Sequence, residues 1–435
     1  MKPSLTIQCL VGLALGVLLG MALPPLFPDA GGSALGVADG MTRLWTNALK
    51  LIVTPLIVAH LFLAISESEL GKRDAARLGW IVPAVFVGLL VCIAVITALT
   101  TLGLLASPLI RNLGLADLMP PVSAADVAAA ATPSGASWLD DLVPPNLIAA
   151  AARPQAILGV MLATVTFALA ARRLAPDLTR PLRTLLEGVR EALFVLIGWL
   201  LRIAPLVLLA LGFRFALNSG LGVGKFLLVH LGVEVAIVLI CLAALYPIAV
   251  LGGRLSPALF ARAAFPAQAA AAASRSSAST IPILLRDART GLGVPEAVSA
   301  LVIPLAGAVL KLSPVVNYFV KFLFLAVVLG IPLSLEKLIV FEATVILLSP
   351  ATQGIPSVIP AIRALPAYVA AGIPAEYVIL LGSTRAFVDI FLSVLNSTGY
   401  LTVTVLVSRF AGSSARVSPA SSAASEPLVS RPGVP

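Results

Sequence analysis

Ser274 Arg275 Ser276 Ser277 Ala278 Ser279 Thr280 Ile281 Pro282, preceded by the run Ala270 to Ala273, sits where the flanking chain is almost wholly apolar. Serines favour helix caps and breaks, and a proline removes a backbone donor. Residues 257–289 therefore predict two short helices meeting at a break, not one continuous span. A second stretch, 337–369, is apolar but interrupted at Ser349 Pro350 and again through Gly354 Ile355 Pro356 Ser357. Around these two lie eight apolar segments, at roughly 4–27, 41–66, 78–107, 155–171, 184–217, 222–251, 292–328 and 374–410. Each is about long enough to cross a bilayer. Non-helical backbone survives at membrane depth only where protein or a water-filled cavity surrounds it. The expected fold is an all-α polytopic membrane protein with eight transmembrane helices plus two re-entrant helical hairpins, and the two breaks are the first candidates for a binding site.

Composition agrees. The 435 residues are 59% apolar and 11% charged, with a mean hydropathy of +1.06. A soluble domain carries about a quarter charged residues, so an ordinary soluble protein is excluded. The net charge of +9 does not point to nucleic acid, because the basic residues fall in short clusters between apolar runs, as topology signals do. Lys72, Arg73 and Arg77, then Arg172, Arg173, Arg180, Arg183 and Arg190, then Arg254 and Arg262 alternate with 108–152, where Asp117, Asp126, Asp140 and Asp141 face one Arg111. That pattern predicts an integral plasma membrane (bacterial inner membrane) protein with both termini cytoplasmic. It also predicts hairpins entering from opposite faces, an inverted repeat with a solute site near the midplane. The apolar run after Lys2 is taken as the first span. Residues 412–435 predict a disordered tail. Cys9, Cys92 and Cys241 have no metal or disulfide spacing and are expected as core residues.

The serine run resembles the first hairpin of the dicarboxylate/amino acid:cation symporters, the glutamate transporter homologue family. Further motifs follow in order: Leu51 to Ile57, Ile203 Ala204 Pro205 Leu206, Ile303 Pro304 Leu305, Gly354 Ile355 Pro356, and Asp389 followed by Asn396 Ser397 Thr398 Gly399. The resemblance implies a homotrimer of independently working protomers. In each, a scaffold (about 4–66 and 155–217) would hold a transport domain (about 78–107 and 222–410) that moves like an elevator, gated by the hairpins. It also implies a substrate site at Arg275, Ser276, Ser277, Ser279, Gly354, Ile355, Pro356, Arg385, Asp389 and Asn396, for an amino acid or organic anion such as a dicarboxylate.

The departures bear on ion coupling. Where the family's seventh span unwinds at Asn-Met-Asp-Gly-Thr, this chain has Leu310 Lys311 Leu312 Ser313 Pro314. Where the family has carboxylates in the eighth span, this chain has Arg385 and Tyr400, and Leu392 replaces an arginine. Three carboxylates suited to a hard cation are missing, so sodium coupling of the usual kind is not expected. Intramembrane charges are functional candidates. Lys311 is read either as a tethered substitute for the bound cation, with proton coupling open, or as part of a static ion pair reaching the region of Arg385 and Asp389, which are spaced to pair. The hairpin serines bind an anion or merely allow close packing. Arg275 contacts substrate or caps the hairpin. Asn396 meets a carboxylate or bridges backbone. His60 and His230 (four before Glu234) serve a proton relay or an interhelical hydrogen bond. Arg202 snorkels or pairs, and Glu342 caps or pairs.

The sequence thus predicts a secondary active transporter, working with the lipid bilayer and a small-molecule substrate, without cofactor and without enzyme activity. The rival expectations are a transport-inactive receptor or structural subunit, and an anion channel.

Overall fold

The structure is a computed structural model and describes residues 5–26, 30–66, 80–115, 143–153, 156–219, 222–351 and 364–411. Among these the regular structure is helical: α1 Leu5–Leu26, α2 Ala30–Ser66, α3 Ile81–Ala106, α4 Pro108–Arg111, α5 Leu147–Ala151, α6 Ile157–Ala171, α7 Pro176–Ser219, α8 Gly222–Gly253, α9 Pro257–Ser274, α10 Ile281–Thr290, α11 Glu296–Val309, α12 Leu312–Val328, α13 Leu335–Ala351, α14 Leu365–Ala370, α15 Ala375–Gly382 and α16 Arg385–Phe410. Four stretches are long and apolar enough to cross a bilayer: α3, α8, α16 and the combined Glu296–Val328. A fifth arises if α7, bent by 47° between Pro176–Leu200 and Arg202–Leu217, counts as one span. Pro205 lies just past that bend and removes a backbone donor there. The other expected spans hold shorter apolar helices, Ile7–Ala22, Thr54–Leu63 and Gly159–Ala171.

One group of helices is built on close backbone approach. Along α1, glycines recur every four residues. A Cβ at Gly12 or Gly16 would run into the carbonyls of Pro205 and Leu209 of α7. Small residues at this spacing let two helices meet backbone to backbone where lipid supplies no hydrophobic drive. α2 completes the group, with Trp45 Nε1 donating to the Leu200 carbonyl at 2.9 Å. A second group, α3, α8 to α12 and α16, shares a core of Phe86, Ile93, Ile237, Leu245, Phe260 and Val302. Arg214 of α7 meets Asp39 of α2 at 3.2 Å and Glu376 of α15 at 3.8 Å, tying the first group to α15.

The structure refines the sequence reading at three places. The stretch 374–410 is not one helix: it breaks at Ser383 and Thr384, whose hydroxyls donate to the Leu380 and Leu381 carbonyls at 2.6 and 2.8 Å. The stretch 292–328 breaks at Leu310 and Lys311, both extended (φ −84°, ψ 104°; φ −120°, ψ 110°). By contrast α13 runs through the expected break at Ser349 Pro350 to Ala351. Pro350 sits in the helix's last turn, where its missing N–H costs a single bond. The break through Gly354, Ile355 and Pro356 lies outside the described residues.

Candidate functional site

The serine run breaks as the sequence predicts. Arg275 closes α9 in the left-handed region (φ 52°, ψ 32°), a conformation an arginine rarely adopts. A 3-10 turn at Ala278–Thr280 then leads into α10. The hydroxyls mostly hold the turn's own backbone: Ser274 donates to the Ala270 carbonyl (2.7 Å), Ser279 to Ser276 (2.8 Å) and Thr280 to Ser277 (2.7 Å). Arg275 and Ser279 are exposed and Ser276 is half-buried. Capping of the break by Arg275 is thus a matter of its backbone.

This turn meets the broken α11–α12 span and the middle of α16. Lys311 Nζ donates to Tyr400 Oη at 2.7 Å and to Ser277 Oγ at 3.4 Å, and those two hydroxyls are 3.1 Å apart. The ammonium also lies 5.3 Å from the centre of the Tyr400 ring, within cation–π range. Asn396 spends both ends of its amide on the start of α12: Oδ1 accepts from Ser313 N (2.9 Å) and Nδ2 donates to Ser313 Oγ (3.0 Å). It thus caps one of the backbone donors that a helix start leaves orphaned. Ser397 Oγ donates to Thr280 Oγ1 at 3.0 Å, and Gln268 Nε2 donates to Thr398 Oγ1 at 2.9 Å. Gly399 permits the approach, since a Cβ there would meet Leu312 Cδ1 at 2.5 Å. Three chain segments are fastened by neutral hydroxyls and amides around a single ammonium. Among the described residues Lys311 makes no ion pair.

A second polar centre lies wholly inside the protein. Glu234 of α8 is 0% exposed and Lys321 of α12 is 1% exposed. Their Oε1 to Nζ distance is 2.8 Å, and Asn317 Nδ2 donates to the same oxygen. His230 Nε2 approaches Glu234 Oε2 to 3.2 Å without the alignment of a hydrogen bond.

Arg385 Nε and Asp389 Oδ1 form the expected pair at 2.6 Å, one turn apart on α16 and only partly buried. Lys311 does not join them. Asp389 and Tyr400 are eleven residues apart on one helix, about 16 Å along its axis, so the two loci sit at different depths. Arg202 is exposed, and the His60 side chain lies outside the described residues.

Sequence reasoning named Tyr400 only as a departure from the family, not as the partner of Lys311. The signal was a joint one, a cation gained in one span and an acid lost in another. Lys321 and Asn317 were missed altogether, although two polar residues four apart in an otherwise apolar run mark one helix face. Among the described residues no three His, Cys, Asp or Glu side chains converge as a metal site would require. The apolar cleft lined by Trp80, Ile81, Gly88, Cys92, Ile248 and Leu406 includes none of these polar groups.

Apolar helices long enough to span a bilayer, broken where their polar residues meet, define the class: an integral membrane protein of the transporter type. Residues 5–410 match the sodium:dicarboxylate symporter family, and the chain belongs to it. That family is one of membrane transporters, not enzymes. The chain is 26% identical over 421 residues to C4-dicarboxylate transport protein 3 of Ralstonia nicotianae, covering 94% of this chain and 89% of that one. It is 24% identical over 437 residues to the proton/sodium-glutamate symport protein of Bacillus subtilis (94% and 94%). It is 23% identical over 418 residues to the proton/glutamate-aspartate symporter of Escherichia coli (94% and 93%).

Proposed function

We propose that this transporter carries a small carboxylate, an amino acid or a dicarboxylate, bound where the Ser274–Pro282 turn meets the α11–α12 break and α16, and that it does so without sodium at the Lys311 position. The observation that carries the reading is the bonding of Lys311: among the described residues its ammonium donates to hydroxyls and to no carboxylate, at the meeting point of two chain breaks. A buried cation without a carboxylate partner favours an anion in its place. The same ammonium repels a second cation, and the oxygens around it are neutral hydroxyls rather than the carboxylates that hold hard cations. The names of the relatives supply the substrate classes. Loss of an arginine at Leu392, buried at 1% exposure, argues against glutamate or aspartate as the preferred substrate, since a second carboxylate would be left unpaired there, while Arg385, two turns before it and near the same face, keeps dicarboxylates open.

In this reading the group built on α1, α2, α6 and α7 is the scaffold, and the group built on α3 and α8 to α16 moves against it. Arg214 sits where the two meet. The protein works as a homotrimer in a bacterial inner membrane with both termini cytoplasmic. Two re-entrant hairpins gate the solute, the second including Gly354, Ile355 and Pro356. Arg385 and Asp389, closed on one another at a different depth of α16, form a second polar locus apart from the Lys311 site.

Uptake of labelled amino acids and dicarboxylates into proteoliposomes, with and without sodium or proton gradients, tests the proposal. Saturable uptake that persists without sodium supports it. The absence of flux under every gradient would favour a receptor or structural subunit, and conductance without saturation a channel.

A further inference from the structure

Glu342 lies on α13 and is 6% exposed, with neither carboxylate oxygen hydrogen-bonded among the described residues. Its helix neighbours show where it points. Phe341 packs on Phe319, Phe322 and Tyr368, Val345 joins the same core, and Ile346 packs on the core of the α3, α8 and α16 group. Glu342 sits between these residues on the helix surface, so its carboxyl is directed into packed side chains rather than toward water.

The described charged and titratable groups on the elements around it are engaged or remote, and the side chains of Lys50 and His60 on α2 lie outside the described residues. On α12, Lys321 gives its ammonium to Glu234 at 2.8 Å, and Tyr318 is the other titratable residue. On α14, Tyr368 donates its hydroxyl to the Tyr318 carbonyl at 2.9 Å. On α11, Glu296 pairs with Arg289 and is largely exposed. α6 has no titratable residue. The α2 residues packed in the core shared with Leu348 of α13 are Ile57 and Leu61, while Asp39 is drawn to Arg214. Glu336 and Lys337 stand in the first turn of α13, six and five residues before Glu342, where Lys337 Nζ donates to the Pro332 carbonyl at 3.3 Å.

A bare carboxylate cannot be held in such surroundings. Desolvating an unpaired ionised carboxyl costs far more than protonating it. Glu234 shows the contrast, since it remains buried with an ammonium and an amide directed at it.

We propose that Glu342 is a proton-binding site. One carboxylate oxygen takes a proton from water as α13 seats in this core, and the O–H bond breaks, returning the proton to water, when the side chain becomes hydrated. Protonation and the seating of α13 are therefore linked, each favouring the other. This rests on the transport reading above only in that α13 belongs to the part proposed to move.

Proton binding is measurable without transport, so the two readings fail separately. The test uses the purified full chain in lipid nanodiscs, as wild type, E342Q and E342M, unfolded thermally at about pH 5 and about pH 8. An unfolded glutamate ionises near about pH 4.3, whereas the folded site keeps its proton, so wild-type stability falls as pH rises across this range. The expected result is a midpoint that drops with pH in the wild type and drops by clearly less in both variants. Infrared difference spectra at neutral pH should show a protonated-carboxyl C=O band that E342Q lacks. Equal pH responses in wild type and E342M, or no band lost in E342Q, would overturn the proposal. So would failure of both variants to fold, because a neutral, unpartnered acid is replaceable by a neutral side chain of similar size.

Discussion

Lys311 and Lys321 stand ten residues apart in one broken span, and their surroundings are opposites. Lys321 is sealed at 1% exposure against the Glu234 carboxylate, with Asn317 on the same oxygen. Lys311 is half-buried at the break, and among the described residues its hydrogen-bond partners are the hydroxyls of Tyr400 and Ser277. A sealed pair has satisfied its charges and holds two helices together. An ammonium among neutral hydroxyls keeps net charge and donor capacity for something else. Intramembrane charge alone is thus a weak sign of a site, and the chemistry of its partner distinguishes a bolt from a receptor for an anion.

The largest effect expected from breaking this comparison is at the sealed pair. Glu234→Leu or Lys321→Met should each destabilise the protein by about 3–5 kcal/mol, because the remaining charge is buried alone. The double variant E234L/K321M should recover most of the loss, and thermal unfolding of purified protein in detergent reads all three. If the single variants are as stable as wild type, the bolt reading fails.

At the other lysine the effect should fall on ligand rather than on folding. Lys311→Met is expected to weaken substrate binding about tenfold or more, the worth of a charge-assisted hydrogen bond, while leaving the unfolding midpoint close to that of wild type. Calorimetric titration beside a melting curve separates the two readouts. Asn396→Leu should cost about 1–2 kcal/mol of stability, since the Ser313 N–H at the start of α12 loses its acceptor in a buried place. The smallest change is expected for Arg385→Gln. A partly exposed pair one turn apart contributes about 0.3–1 kcal/mol, so only a slight fall in midpoint should appear. A loss as large as that of E234L would instead place Arg385 in the structural core.

Much of this architecture was legible in residue order. The serine run had to break because capping residues and an Ile-Pro step replace apolar ones, and Arg275 with the 3-10 turn break it there. The Leu310 Lys311 interruption was not anticipated: no glycine marks it, and the resemblance supplied only the place where the family's own span unwinds. The break at Ser383 and Thr384 was hidden inside an apolar run, where two hydroxyls turning back on their own helix leave little trace in a hydropathy pattern. At the site, periodicity could pair Arg385 with Asp389 because both lie on one helix. It could not bring Lys311 to Tyr400, or Lys321 to Glu234, because those contacts join residues 89 and 87 positions apart. Tertiary packing decides such pairs, and two lysines each flanked by apolar residues in sequence acquire different chemistry from it.

The most direct test of the central claim is ligand-induced thermal stabilisation of the purified chain by C4-dicarboxylates and acidic or neutral amino acids, each with sodium and with choline in its place. A ligand that raises the midpoint equally in both salts, and fails to do so in K311M, is the predicted result. Stabilisation that appears only on adding sodium, and survives in K311M, would contradict it.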